Sequence, residues 1–330
     1  MTAGHGPHRA DPAGRAASVG LAFAVVSAVS FGLSGPFAKA LIDAGWSSAG
    51  AAFVRIGGSA VVVLVLLAVT RPGVLAALRA DAPALLLYGL LAMAGVQVAF
   101  FNAVRYMPVS IALLLEYLGP VLVIAWVWVV RRQPPGPRTL VGAGVAIAGL
   151  LLVVQIWSGT AVPPAGLAWG LAAAVCQASY FLLADRAGAT TPPMVLAGVG
   201  MAVGTVVVAV LGLAGLLPLV VSLPPDGPVV LAGADVGWVV AAGLLVLVST
   251  VVAYLTGVLA IRRIGAARGS LVALLEVVAS AVASWLLLGE VPAAIQLAGG
   301  VLILVGVALT RSRPAGLAEP REPWDEPREP

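Results

Sequence analysis

Charge is scarce in this sequence. Only 10% of its 330 residues are Asp, Glu, Lys or Arg, against 61% hydrophobic, and the mean hydropathy is +1.08. A water-soluble domain carries about a quarter charged residues, so these charges cannot cover a soluble surface and the expected solvent is lipid. Histidine is confined to His5 and His8, which leaves no imidazole for a metal site or a His-based catalytic pair within the membrane. Cys176 is the single cysteine, so no disulfide can close within the chain. Lys39 is the single lysine, and no glycine-rich phosphate loop with its lysine is present, which argues against ATP-driven work by this chain. No cofactor and no metal are expected. The formal charge of +4 and pI near 9.7 come from arginines scattered over loops, not from a basic stripe with interleaved aromatics, so a nucleic-acid partner is not expected either.

Long apolar runs are what the sequence has in abundance. Ten runs of about 20 residues, the length that crosses a roughly 30 Å hydrocarbon core as helix, fit at 19–42, 48–70, 83–104, 108–130, 138–157, 165–185, 193–217, 236–260, 268–288 and 292–311. The expected fold is an all-α membrane protein of ten transmembrane helices. Residues 1–18 read as a polar tail, the first run is too long for a signal-peptide core, and 312–330, with its EPRE units, reads as a disordered tail.

The halves repeat. GLAFAVVSAV (Gly20–Val29) aligns without gaps on GLAWGLAAAV (Gly166–Val175), AVRY (Ala103–Tyr106) on AIRR (Ala260–Arg263), LLE (Leu114–Glu116) on LLE (Leu274–Glu276), and LVGAGVAIAG (Leu140–Gly149) on LAGGVLILVG (Leu297–Gly306). Two five-helix units follow, 19–157 and 165–311. An odd number of spans sends the second copy into the membrane from the opposite side, an arrangement characteristic of secondary transporters. Loop charges agree: Arg131, Arg132 and Arg138 in the fourth loop face only Glu290 in its counterpart, and Arg71 and Arg79 in the second face Asp226 and Asp235. With arginine retained inside, both termini are expected in the cytoplasm. Residue usage, rich in Ala, Gly, Val and Arg, is that of a GC-rich bacterial genome, and the expected location is the cytoplasmic membrane.

The two matched units, ALLLEYLGPV (Ala112–Val121), AIRRIGAARGSLVALLE ending at Glu276 and LLLGE (Leu286–Glu290) resemble the EamA family of the drug/metabolite transporter superfamily over roughly residues 19–311. The resemblance implies a ten-helix carrier of small metabolites with a central cavity lined by both halves, and its amino-acid exporter branch is the nearest likeness. LGE at Leu288–Glu290 has no match in the first unit, where Val129–Arg132 reads VVRR, so no role passes to Glu290.

Ionisable groups inside a span are costly and mark function by default. Glu116 and Glu276 are repeat equivalents, each about eight residues into its span and so roughly 12 Å from opposite faces, near the midplane. Either can carry a proton coupled to transport or attract a substrate amine; the alternative is a packing role. Lys39 and Arg55 lie near span ends, where long cations snorkel to the interface; the rival reading of Arg55 is a fork for a substrate carboxylate. Gln97, Asn102, Gln177, Tyr180, Tyr254 and Thr256 bring hydrogen-bonding groups into apolar helices, as pocket contacts or interhelical bridges. Gly35 with Pro36 and Gly119 with Pro120 interrupt helical hydrogen bonding and are hinge candidates. Trp126, Trp128 and Trp285 suit lipid-facing belts, and Gly166/Gly170 and Gly200/Gly204 suit close helix contacts. The expected partners are a small-molecule substrate, the bilayer and protons, with the oligomeric state open. The function expected is a secondary carrier exporting an amino acid or related compound. Multidrug efflux or uptake of another metabolite is the alternative within that class. A lipid-modifying membrane enzyme would need a cluster of nucleophile, base or metal ligands, and none is visible.

Overall fold

The computed structural model describes residues 12–70, 82–155, 162–187 and 192–311; Arg71, Arg79, the first eleven residues and the tail from 312 lie outside this set. The described residues are mostly helical. Its elements are α1 (Pro12–Gly32), α2 (Ser34–Asp43), α3 (Ser48–Thr70), α4 (Ala82–Leu87), α5 (Val96–Ala103), α6 (Val109–Glu116), α7 (Gly119–Arg131), α8 (Pro137–Val154), α9 (Pro164–Ala187), α10 (Pro193–Leu213), α11 (Trp238–Gly243), α12 (Ala253–Val272), α13 (Leu275–Leu288) and α14 (Ala294–Arg311). Among the described residues, eight helical stretches are long and apolar enough to cross a membrane, and two shorter apolar helices, α13 and α14, stand in the ninth and tenth places.

Several boundaries differ from the sequence expectation for physical reasons. Pro36 has no N–H to offer the carbonyl of Gly32, so the first span breaks at Leu33, between α1 and α2, just ahead of Gly35 and Pro36. Pro120 withholds a donor from the carbonyl of Glu116 in the same way, and α6 ends there. The ninth span, expected at 268–288, starts at Leu275 instead, because α12 continues through a kink at Gly265 (φ 78°) and stops at Val272. No proline causes that stop. The carbonyl of Ala273 accepts both the Glu276 backbone N–H and the Tyr117 hydroxyl, each at 3.0 Å. The seventh span ends at Leu213 rather than 217, and Pro218, Pro224, Pro225 and Pro228 turn the next stretch into a folded loop. That loop carries a small hairpin, β1 (Val230–Leu231) with β2 (Ala234–Asp235), and packs on the α2–α3 turn, where Trp46 Nε1 donates to the Ser222 carbonyl at 2.9 Å.

Two π-helical stretches were not legible in the sequence: Tyr88–Gly95 between α4 and α5, and Leu244–Val252 between α11 and α12. The register that pairs Ala103 with Ala260 pairs residues 88–95 with 245–252, so both units widen at the same place.

Helix pairing follows the repeat. The pair α1 with α12 has its counterpart in α9 with α5, and α3 with α10, α6 with α13 and α8 with α14 join equivalent spans across the halves. Small residues allow this close approach, since lipid supplies no hydrophobic drive between helices. A Cβ on Gly142 would stand 2.7 Å from the Gly306 carbonyl oxygen, and one on Gly299 would stand 2.6 Å from that of Gly149. The start of α8 therefore lies beside the end of α14. The two fifth helices run antiparallel, as an inverted repeat requires.

Candidate functional site

A cavity of about 800 Å³ lies between the halves. Its lining begins at mid-depth with Ser34, Arg55, Phe100 and Glu116 and reaches Pro193, Ile261 and Gly269 at helix ends on the face where α1 begins. It opens to that face. On the other face Trp46, Val104, Met107 and Val109 are buried, and the cavity does not reach them.

Both breaks described above deliver a carboxylate to this space. Glu116 is the last residue of α6, and Glu276 the second of α13; each lines the cavity. Tyr117, which follows Glu116, donates its hydroxyl toward Glu276 Oε2 at 2.8 Å and the Ala273 carbonyl at 3.0 Å. One phenol thus joins the fourth span of one unit to the ninth span of the other.

Arg55 does not snorkel. It is 4% exposed and lines the cavity seven residues into α3, where Nη1 donates to Gln97 Oε1, Nε to Thr250 Oγ1 at 3.0 Å and Nη2 to the Ser249 carbonyl at 3.4 Å. Ser249 and Thr250 belong to the second π-helical stretch, whose wider turn leaves that carbonyl available. The Phe101 ring lies 5.7 Å from the guanidinium carbon. All three acceptors are neutral. Among the described residues no carboxylate stands within 4.0 Å of the guanidinium. Glu116 and Glu276 share its cavity and act on it at longer range, but a buried cation without a contact counter-ion is costly, and an anionic ligand in the cavity would offset that cost.

The remaining expected contacts divide. Gln97, Gln177, Tyr180 and Tyr254 line the cavity. Asn102 and Thr256 do not: Asn102 Nδ2 donates to the Val98 carbonyl at 2.8 Å and Thr256 Oγ1 to that of Val252 at 2.7 Å, each within its own helix. Of the hinge candidates, Pro120 lines the cavity, and a Cβ on Gly119 would stand 3.0 Å from Gln177 Cγ. A Cβ on Gly35 would overlap Val109. Trp126, Trp128 and Trp285 are exposed to the surroundings of the bundle.

Several lining residues stand outside the set expected from the sequence: Tyr88, Tyr117, Phe31, Phe100 and Phe181. Tyr117 carried a signal in its place next to Glu116. Phe31 and Tyr254 meet edge to face with centroids 5.0 Å apart, and Tyr88, Tyr180 and Phe181 form a second aromatic row. The repeat register pairs Phe31 with Gln177 and Tyr254 with Gln97. Each unit thus holds one aromatic and one amide at these places, each opposite the other kind in its counterpart, so the walls have diverged chemically while the backbone kept its symmetry.

The profile of the EamA-like transporter family matches residues 18–155 and again 164–312. A curated relative, the threonine/homoserine exporter RhtA of Escherichia coli K12, is 28% identical over 83% of this chain and 88% of its own length. The uncharacterized transporter YyaM of Bacillus subtilis is 26% identical over 79% of this chain and 84% of its own. The uncharacterized inner membrane transporter YicL of Salmonella typhimurium is 28% identical over 38% of this chain and 43% of its own. A solved crystal structure superposes with a TM-score of 0.55 over 88% of this chain and 96% of that chain at 21% identity, which is a likeness of fold.

Proposed function

The chain belongs to the EamA-like transporter family, and from that membership we propose that it is a secondary carrier exporting an amino acid or a related carboxylate across a bacterial cytoplasmic membrane by alternating access. The observation that carries this reading is Arg55, a buried guanidinium with three neutral acceptors, set in a cavity open to one face. Its planar fork suits a substrate carboxylate. Glu276, Glu116 and the Tyr117 hydroxyl supply the opposite polarity for a substrate amine or a transported proton. Gln97, Gln177, Tyr180 and Tyr254 complete the contact set, and the breaks beside Gly35, Pro36, Gly119 and Pro120 serve as hinges. The loop arginines support cytoplasmic termini, which makes the cavity open to the cytoplasm, the face an exporter loads from.

Counterflow in proteoliposomes tests the class. Amino acids should exchange across the bilayer without net driving force, and their methyl esters, which lack the carboxylate, should not. Equal exchange of acids and esters would overturn the role of Arg55. The volume of about 800 Å³ and the aromatic lining also support efflux of a larger amphipathic compound, and including such compounds in the same panel separates the two.

Proton coupling rests on the two glutamates. Glu276→Gln should lower accumulation driven by an imposed pH gradient by at least roughly tenfold while leaving counterflow nearly intact, since the amide keeps the shape and loses the titrating group. Glu116→Gln is the companion variant. Unchanged gradient-driven accumulation in both would exclude a proton-carrying role. Tyr117→Phe removes the hydroxyl between the halves and should reduce turnover by roughly tenfold to 100-fold, the worth of one hydrogen bond to a charged group at about 1.5–3 kcal/mol. The check is initial rate against substrate concentration.

A further inference from the structure

At the face away from the cavity mouth, four chain segments meet on two side chains. Lys39, near the end of α2, places Nζ 3.0 Å from the Val104 carbonyl oxygen and 3.2 Å from Glu290 Oε1. The other carboxylate oxygen of Glu290 accepts the backbone N–H of Val109, the first residue of α6, at 2.9 Å. The side chains are 19% and 14% exposed, so the pair is screened from water and worth more than a surface ion pair. Lys39, Val104 and Val109 belong to the first unit and Glu290 to the second. On the first span the cavity lining stops at Ser34, five residues or about 7 Å deeper than Lys39.

We propose that Lys39 and Glu290 form the latch that holds this face shut while the cavity is open to the other, and that each transport cycle breaks it. The proposal rests on the carrier reading above. Opening this face means separating the halves here, and Glu290 is the group that ties α2, the α5–α6 turn and the N-terminus of α6 to the α13–α14 turn. The repeat register adds a second argument. Lys39 pairs with Asp185 in α9, and Glu290 pairs with Gln133, the residue after Arg132 at the end of α7. Lys39 thus has an acidic counterpart in the sequence, and an arginine stands one residue before the counterpart of Glu290. An alternating machine needs one closure at each face.

The test is cysteine accessibility in a Cys176→Ser background, with Ser34→Cys as the reporter in the cavity and Asp235→Cys, exposed on the loop of the latched face, marking that face in sealed vesicles of either orientation. A membrane-impermeant maleimide applied from the latched face should label the Ser34→Cys reporter slowly while the latch is intact. Lys39→Met and Glu290→Gln should each raise that rate roughly tenfold, and the exchanged pair Lys39→Glu with Glu290→Lys should bring it back down. Labelling from the cavity side shows that each variant is folded. Where Glu290→Gln does not fold, Glu290→Asp, which keeps the charge on a shorter stem, should give an intermediate rate. Equal rates in the intact and singly substituted proteins would overturn the latch. Because labelling needs no substrate, its failure is distinct from a failure of counterflow.

Discussion

Arg55→Met should abolish transport, by roughly 100-fold or more, while leaving the melting temperature within a few degrees of the parent. The guanidinium is buried and its partners Gln97 Oε1, Thr250 Oγ1 and the Ser249 carbonyl are neutral, so removing it breaks no contact ion pair, and Glu116 and Glu276 lose only a longer-range attraction. Replacing buried charge with an apolar side chain of similar length is often neutral or stabilising when no opposite charge is left behind. Gln97 faces the cavity and can turn to water there. Transport has no such substitute, since losing a two-pronged contact to a desolvated carboxylate removes about 3 kcal/mol or more of binding. Arg55→Lys should fail nearly as badly, because a single ammonium cannot reach Gln97, Thr250 and a ligand together. Transport at parental rates in Arg55→Met, or loss of folded protein along with transport, would each contradict the assignment. Thermal melts beside counterflow rates separate the two.

Gly306→Leu and Gly149→Leu should have the largest effect on stability. A Cβ on Gly306 would stand 2.5 Å from the Gly142 carbonyl oxygen and from the Ala146 nitrogen, and the obstacle is backbone, which cannot rotate away. Overpacking at such a contact costs about 3 kcal/mol or more, and the α8–α14 pair joins the two units. The expected result is loss of the monodisperse peak on gel filtration of detergent extracts. Gly144→Leu, on the same helix with nothing within 4 Å of the added Cβ, should be tolerated. Equal recovery of all three variants would show that the helices can separate without harm.

Spans, duplication and antiparallel sense were legible in the sequence because each leaves a long-range mark: apolar runs of membrane length, matched segments, and loop arginines that change sides. Glu116 and Glu276 were legible as well, since a carboxylate within an apolar span stands out by type. Arg55 was harder, because a position seven residues into α3 fits either an interface anchor or a buried group. The clue lay just after it, in Gly57, Gly58 and Ser59. A Cβ on Gly58 would stand 2.8 Å from a Val246 side-chain carbon and Ser59 Oγ donates to the Val246 carbonyl at 3.3 Å, so this face of the helix is pressed against the second unit. Asn102 and Thr256 were misread for a related reason: a polar side chain in a helix can bond to the carbonyl four residues back, and spacing alone does not tell that from a pocket contact. The loop after Leu213 was misread because its first residues are as apolar as the span before them. The π-helical stretches carry no compositional mark, since residues 88–95 and 244–252 are ordinary apolar helix formers apart from their glycines and hydroxyls.

Those paired π-helical stretches also bear on descent. A π turn accommodates one more residue per hydrogen-bonded ring than an α turn, so each stretch records an added residue. The additions fall in the same register of both units, whereas the wall residues around them, Gln97 against Tyr254 and Phe31 against Gln177, have parted. A widened turn at the same register of both units is what doubling of a half-length chain that already carried it would leave. Two identical copies of that ancestor, facing opposite ways in the bilayer, would already have enclosed the pathway that the fused protein later made asymmetric.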